Sequence, residues 1–226
     1  MKLLKNATVI PLEGTMDSFT GGVYSSEGHF VEDSLLDRGK PGQLQKTVEY
    51  LEGTYIYGGC LFGHFGHFIW ESLSRLYAVR QCKNYPILFI SPDDGYRKIF
   101  KLLGINNEIR IVNVPTSVEN LIYSPPGSSL IPLYITDEQI NALKYYYFNV
   151  NDKNSNGKIL LSRSRLLFGT IINEQAIEKI LTKIGYKIIH PETLSLQEQV
   201  RLISTSGIVA GFDGSQFYSL LFAIDI

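Results

Sequence analysis

The sequence predicts an α/β fold made of two Rossmann-like halves facing a cleft, the second half incomplete. Three observations lead there. The chain has 226 residues, enough for two small domains that each bury a core. A stretch rich in Asn, Asp, Ser and Gly, "NVNDKNSNG" at 149–157, reads as a linker between residues 1–148 and 158–226. Beyond it, short apolar runs alternate with helical segments, the pattern of a parallel sheet covered by helices.

In order along the chain, residues 1–57 read as short strand-like runs broken by Gly-rich turns, for instance "GTYIYGG" at 53–59. Residues 62–81 predict one helix. "YPILFIS" (85–91) suits a buried parallel strand, and "DDGYRKIFKLLG" (93–104) follows with helical spacing. "EIRIVNV" (108–114) and "ENLIYSP" (119–125) are two further strands, stopped by Pro125 and Pro126. "ITDEQINALKYYYF" (135–148) closes the first half as a helix, with Thr136 and Gln139 in a capping-box pattern.

In the second half, "KILLSR" (158–163), "YKIIHPE" (186–192) and "GIVAG" (207–211) predict strands. The helices between and after them are "NEQAIEKILTKIG" (173–185), "SLQEQVRLIST" (195–205) and "SQFYSLLFA" (215–223). Ser195, with Glu198 at the third position, caps the middle one. Ligands of such sheets bind beyond the carboxyl ends of the strands. That rule selects "SRSRLLFG", "HPE" and "GFDGS". With three strands in this half, the expectation is a C-terminal truncation or a remainder supplied by another chain.

Composition narrows the partners. A net charge of −1 and the absence of basic runs longer than a pair argue against nucleic acid and against charge-driven membrane binding. Two cysteines, Cys60 and Cys82, fit a reducing compartment. No stretch has the length of a signal peptide core or a membrane span, so a soluble cytoplasmic protein is expected. The sequon at Asn6 is read as chance.

Two groups of residues carry chemistry. In "GGCLFGHFGHFIWESLSRLYA" (58–78), His64, His67 and Glu71 fall within about 60° of arc on a helix, and Arg75 lies about 20° further. Ile69, Trp70, Leu73, Leu76 and Tyr77 take the opposite side. Gly63 or Gly66 marks the helix start. The ridge fits acid–base catalysis by a His–carboxylate pair. A satisfied polar network with Arg75 is one alternative. A metal site is another, although the two His are three apart where zinc helices space them four apart.

The second group lies beyond the linker. Arg163 and Arg165, leaving a strand on the same side, suit a phosphate or bridge to carboxylates. Asn173 and Glu174 read as the cap and dipole complement of a helix. Gly211 and Gly214 permit close backbone approach, and the amides at Ser215 and Gln216 open a helix N-terminus that favours an anion. Asp213 fits either a helix cap or a hydrogen bond to sugar hydroxyls. No Asp-x-Asp metal motif occurs.

With these residues laid out, the chain resembles the family-61 glycosyltransferases, which include bacterial capsular-polysaccharide enzymes. The matching features are "HFGHFIWESLSRL", then "LLSRSR…INE" and "GYKIIHPETLSLQEQVRLISTSGIVAGFDGS…LLF", over roughly residues 55–224. The resemblance implies a GT-B fold and an inverting, metal-independent transfer in surface polysaccharide synthesis. The sugar would come from a nucleotide-sugar donor, UDP-linked, and go to a glycan acceptor, without a further cofactor. It implies a donor side holding Arg163, Arg165, Asn173, Glu174, Gly211, Asp213, Gly214 and Ser215. On the acceptor side stand His67, Glu71 and His64, with His67 the expected base and Glu71 its partner, and with His64 or Glu71 as alternative bases. Many relatives carry His at the position of Asp213. The alternatives are a catalytically silent nucleotide- or sugar-binding module and a metal-dependent hydrolase using His64, His67 and Glu71.

Overall fold

The computed structural model describes residues 1–15, 17–91, 97–145, 157–167 and 169–222, without the side chains of residues 97, 98, 144 and 145. The chain divides into two compact units, Met1–Leu143 and Lys144–Ile226. Of the linker expected at 149–157, only Gly157 lies within the described residues.

The first unit is a mixed sheet, which corrects the expectation of a Rossmann-like half. Its strands are β1 (Lys2–Thr15), β2 (Ser18–Tyr24), β3 (Gly39–Pro41), β4 (Glu49–Cys60), β5 (Ile87–Ile90), β6 (Ile109–Val112) and β7 (Thr116–Tyr123), ordered β3-β2-β1-β7-β4-β5-β6. The β1–β2 hairpin forces antiparallel pairing, and β1 also runs antiparallel to β7. The register of the hairpin shifts between Ile10 and Glu13. Pro11, with no N–H to donate, sits in that interval, where a bulge tolerates it. β4, β5, β6 and β7 form the parallel core expected of a crossover fold, and β3 pairs parallel with β2 at the sheet edge. All four residues of β5 are buried, as its apolar run predicts, and a helix α3 (Arg97–Leu102) lies between β5 and β6.

The segment 62–81 is not one helix. It consists of a short turn α1 (Phe65–His67), a π-helical turn (Phe68–Ser72) and α2 (Leu76–Gln81). Leu73 N–H reaches back five residues to Phe68 O at 3.0 Å. The opened carbonyls find partners elsewhere in the unit: Ser128 Oγ donates to Trp70 O at 2.7 Å, Gln139 Nε2 to Leu73 O at 2.8 Å and Gly127 N to Ser74 O at 2.7 Å. Those contacts remove the cost of leaving buried carbonyls unpaired, so the helical ladder can break here. Gln139 thereby leaves the predicted capping box half-made. Its N–H, in helix α4 (Asp137–Tyr145), still donates to Thr136 Oγ1 at 3.3 Å, but its side chain serves Leu73.

The described part of the second unit follows the predicted alternation. Strands β10 (Lys158–Leu161), β11 (Tyr186–Ile189) and β12 (Ile208–Gly211) form a parallel sheet ordered β11-β10-β12. A two-stranded pair, β8 (Ser128–Leu130) and β9 (Leu133–Ile135), precedes them in the first unit. Helix α5 spans Glu174–Lys183 and α6 spans Leu196–Ser204. The capping box of α6 is complete: Ser195 Oγ accepts Glu198 N–H, and Glu198 Oε2 accepts Ser195 N–H at 2.8 Å. Ile159, Leu161, Ile189 and Ile203 form the core. The last segment, Ser215–Phe222, is a 3-10 helix where an α-helix is expected.

Candidate functional site

In the first unit, the break at residues 65–75 determines what the polar ridge does. Glu71 is 1% exposed. Its Oε2 lies 2.7 Å from His67 Nδ1, the contact that the i,i+4 spacing predicts. Arg75 does not join them. Turning with the helix break, it donates Nε to Ser124 O at 2.9 Å and Nη2 to Asp33 O at 2.6 Å, with its guanidinium 5.2 Å over the Tyr57 ring. The close approach of Arg75 to β4 requires Gly59, which has φ +89°.

The cation on Glu71 is instead Arg38, which the sequence reading did not single out. It stands on the turn closed by Gly39 N–H to Leu36 O at 2.8 Å, anchored by the buried Leu35 and Leu36. Arg38 donates Nη1 to Glu71 Oε1 at 2.5 Å and Nη2 to Oε2 at 2.7 Å, a bidentate fork. Phe19 and Phe62, in contact with each other, pack against its guanidinium at 5.5 and 5.4 Å. Burial pushes the Glu71 carboxyl up, but the hydrogen bonds from Arg38 and then His67 outweigh it and hold it below its usual range. Arg38 is held above its own usual value, the bond to Glu71 overcoming burial.

A carboxylate only accepts, so His67 Nδ1 is the donor in the contact with Glu71, and a neutral ring presents its lone pair at Nε2. His64 is exposed, and its ring lies 5.3 Å from that of His67. Both Glu71 oxygens are engaged, Oε1 by Arg38 and Oε2 by Arg38 and His67. Among the described residues, no three His, Cys, Asp or Glu are grouped to hold a metal. Burial pushes the nearby Cys60 thiol up to about 12, which removes it as a nucleophile. Beside the Arg38 turn opens a cleft of about 560 Å³ lined by Phe30, Asp33, Asp37, Pro126 and Tyr134.

In the second unit, β10 ends at Leu161, and Arg163 and Arg165 lie on a turn closed by Leu166 N–H to Arg163 O at 3.0 Å. The two arginines therefore do not project from one strand face, and the expected paired grip is not formed. Arg165 is exposed. Arg163 reaches across to the loop after β12 and donates Nη1 to Asp213 O at 2.8 Å. Gly169 and Gly214 make room for it: a Cβ at either would stand 2.3 Å from Nη2 or 2.8 Å from Nη1. The backbone of Asp213 thus serves Arg163, while its carboxylate is exposed. Gly214 O accepts Phe217 N–H at 3.2 Å and starts the 3-10 turn containing Ser215. Gly211 ends β12 paired with Leu161.

Asn173 and Glu174 depart from their expected capping roles. Asn173 sits at the start of α5 with φ +63° and makes no side-chain cap, a left-handed backbone that asparagine adopts more readily than most residues. Glu174 turns inward and is 1% exposed. Its Oε1 accepts Arg163 N–H at 2.8 Å and Ser162 Oγ at 3.1 Å. Its Oε2 is buried with no hydrogen-bond partner. Ser162 and Ser164 also donate to Glu178, at 2.5 and 2.6 Å. A cleft of about 390 Å³ opens here, lined by Ser164, Thr170, Asn173, Glu174, Gln175 and Lys179. A polar cleft with an orphaned buried carboxylate oxygen suits a ligand rich in hydroxyl donors.

The sequence model of glycosyltransferase family 61 matches residues 65–225. The chain belongs to that family. This glycosyltransferase is an enzyme whose matched span includes His67, Glu71 and the cleft around Glu174, while His64 and Arg38 precede it. No curated protein matches the chain. No helix among the described residues is long and apolar enough to cross a membrane.

Proposed function

We propose that this family-61 glycosyltransferase moves a sugar from a nucleotide-sugar donor, UDP-linked, to a hydroxyl of a glycan acceptor, inverting the anomeric carbon. A surface polysaccharide made at the cytoplasmic side is the proposed setting. The observation that carries the mechanism is the His67 Nδ1–Glu71 Oε2 bond of 2.7 Å, which leaves Nε2 as the acceptor of a proton. Inversion is a single displacement. The acceptor oxygen attacks the anomeric carbon as its proton passes to His67 Nε2, and the bond from that carbon to the diphosphate oxygen breaks. Aromatic and acidic groups of the cleft beside Arg38 suit a neutral sugar, through stacking on Tyr134 and hydrogen bonds to Asp33 or Asp37.

The second unit takes the donor in this reading, the division of labour of a GT-B enzyme. Arg163 and the amides following Gly214 stabilise the departing diphosphate, a role that needs no metal. Glu174 Oε2 accepts a donor hydroxyl. The test is release of nucleoside diphosphate from a panel of nucleotide sugars, with and without EDTA. His67→Ala is expected to lower turnover about a hundredfold or more while UDP still binds, and Arg163→Ala to weaken UDP binding. Binding without turnover for any donor would assign the chain as a binding module, and EDTA-sensitive turnover would overturn the metal-free route.

A further inference from the structure

We infer that Arg38 is the positioning residue of the base: by balancing the charge of Glu71 it keeps His67 neutral, with its proton on Nδ1 and its Nε2 lone pair free. The inference rests on the reading of His67 as the base and adds what sets its charge and tautomer.

The side chain of Glu71 is 0% exposed and that of Arg38 13%. A carboxylate buried that far must be compensated by a positive charge. With His67 as its only partner, the compensation comes from the ring, which takes up a second proton and becomes an imidazolium locked to Glu71. Such a ring has no lone pair to offer an acceptor hydroxyl. Arg38 supplies the charge first. Its Nη2 also lies 3.3 Å from His67 Nδ1, so a protonated ring would place two cations against one anion.

The geometry is specific to a guanidinium. Two parallel N–H groups fix the carboxylate plane and turn Oε2 toward His67, which a point-charge ammonium cannot do. The rings of Phe19 and Phe62, themselves in contact with centroids 5.8 Å apart, pack together against Arg38 and hold the fork. Phe19, Arg38 and Phe62 all come from the chain before residue 65, where the family match begins. That segment is therefore part of the catalytic apparatus, and its contribution is electrostatic.

The test uses protein labelled with ¹⁵N in histidine, whose four residues are assigned by single substitutions. At neutral pH the native His67 ring is expected to show a protonated Nδ1 and an unprotonated Nε2. In Arg38→Gln both nitrogens become protonated and donor turnover falls roughly tenfold or more, with UDP affinity held. Arg38→Lys restores the charge without the fork, so the ring returns to neutral while turnover recovers only in part. It also serves if Arg38→Gln fails to fold. Unchanged ring signals and turnover in both variants would overturn the role of Arg38 while His67→Ala remained inactive. Full turnover in His67→Ala, with the expected ring signals, would instead overturn the base.

Discussion

Arg75 crosses β4 at Gly59 so closely that a Cβ there would stand 2.3 Å from its Nη1. The glycine has φ +89°, and Arg75 is 2% exposed, bonded to carbonyls of Asp33 and Ser124. Gly59→Ala must therefore displace the arginine as well as strain the strand. Gly53, with φ +97° and nothing within 4 Å, carries the strain alone, about 1–2 kcal/mol. Urea unfolding is expected to show a larger loss for Gly59→Ala than for Gly53→Ala. Equal losses would mean that the contact with Arg75 is soft.

Glu71→Gln removes the charge from a buried pair, and the expected loss of stability at neutral pH is about 3–5 kcal/mol. The sign with pH follows from a carboxyl held below its ordinary value of 4.5. Its contribution is complete above that value and disappears as pH falls through the lower folded value. Native and variant unfolding midpoints should converge in acid. A gap that persists there would assign the loss to packing.

Glu174→Gln keeps an oxygen for Arg163 N–H but places an amide where Oε2 stood. Affinity for the nucleotide sugar is expected to fall about tenfold, or about 1.4 kcal/mol, with the unfolding midpoint nearly unchanged. Calorimetric titration checks it, and undiminished affinity would remove Glu174 from donor recognition.

Ser195→Ala breaks the capping box of α6 and should cost about 1 kcal/mol with no change in turnover. Thermal unfolding and the donor assay, run together, separate this local term from the site variants.

Much of this was legible in the residues because the interactions are local. The i,i+4 spacing of His67 and Glu71 brings them together on any helical turn, and the Ser195–Glu198 box needs only its own backbone. The strands of the second unit follow from apolar runs between helices. Several of the misreadings involve distant partners. Residues 62–81 have helical periodicity, yet Ser128, Gln139 and Gly127 satisfy the carbonyls of a broken helix. Asn173 has the composition of a cap but takes a left-handed backbone, and Glu174 turns inward to Arg163.

By itself, then, the sequence determined the alternation of the second unit and the His–carboxylate pair, which depend on neighbours a few residues apart, and the family, which rests on a match across residues 65–225. Tertiary structure alone decided which cation neutralises that pair. Arg75 stands four residues from Glu71 and is spent on carbonyls. Arg38 stands 33 residues away and makes the fork. No periodicity reports such a choice, because a buried carboxylate selects its cation by where the folded chain delivers a guanidinium plane.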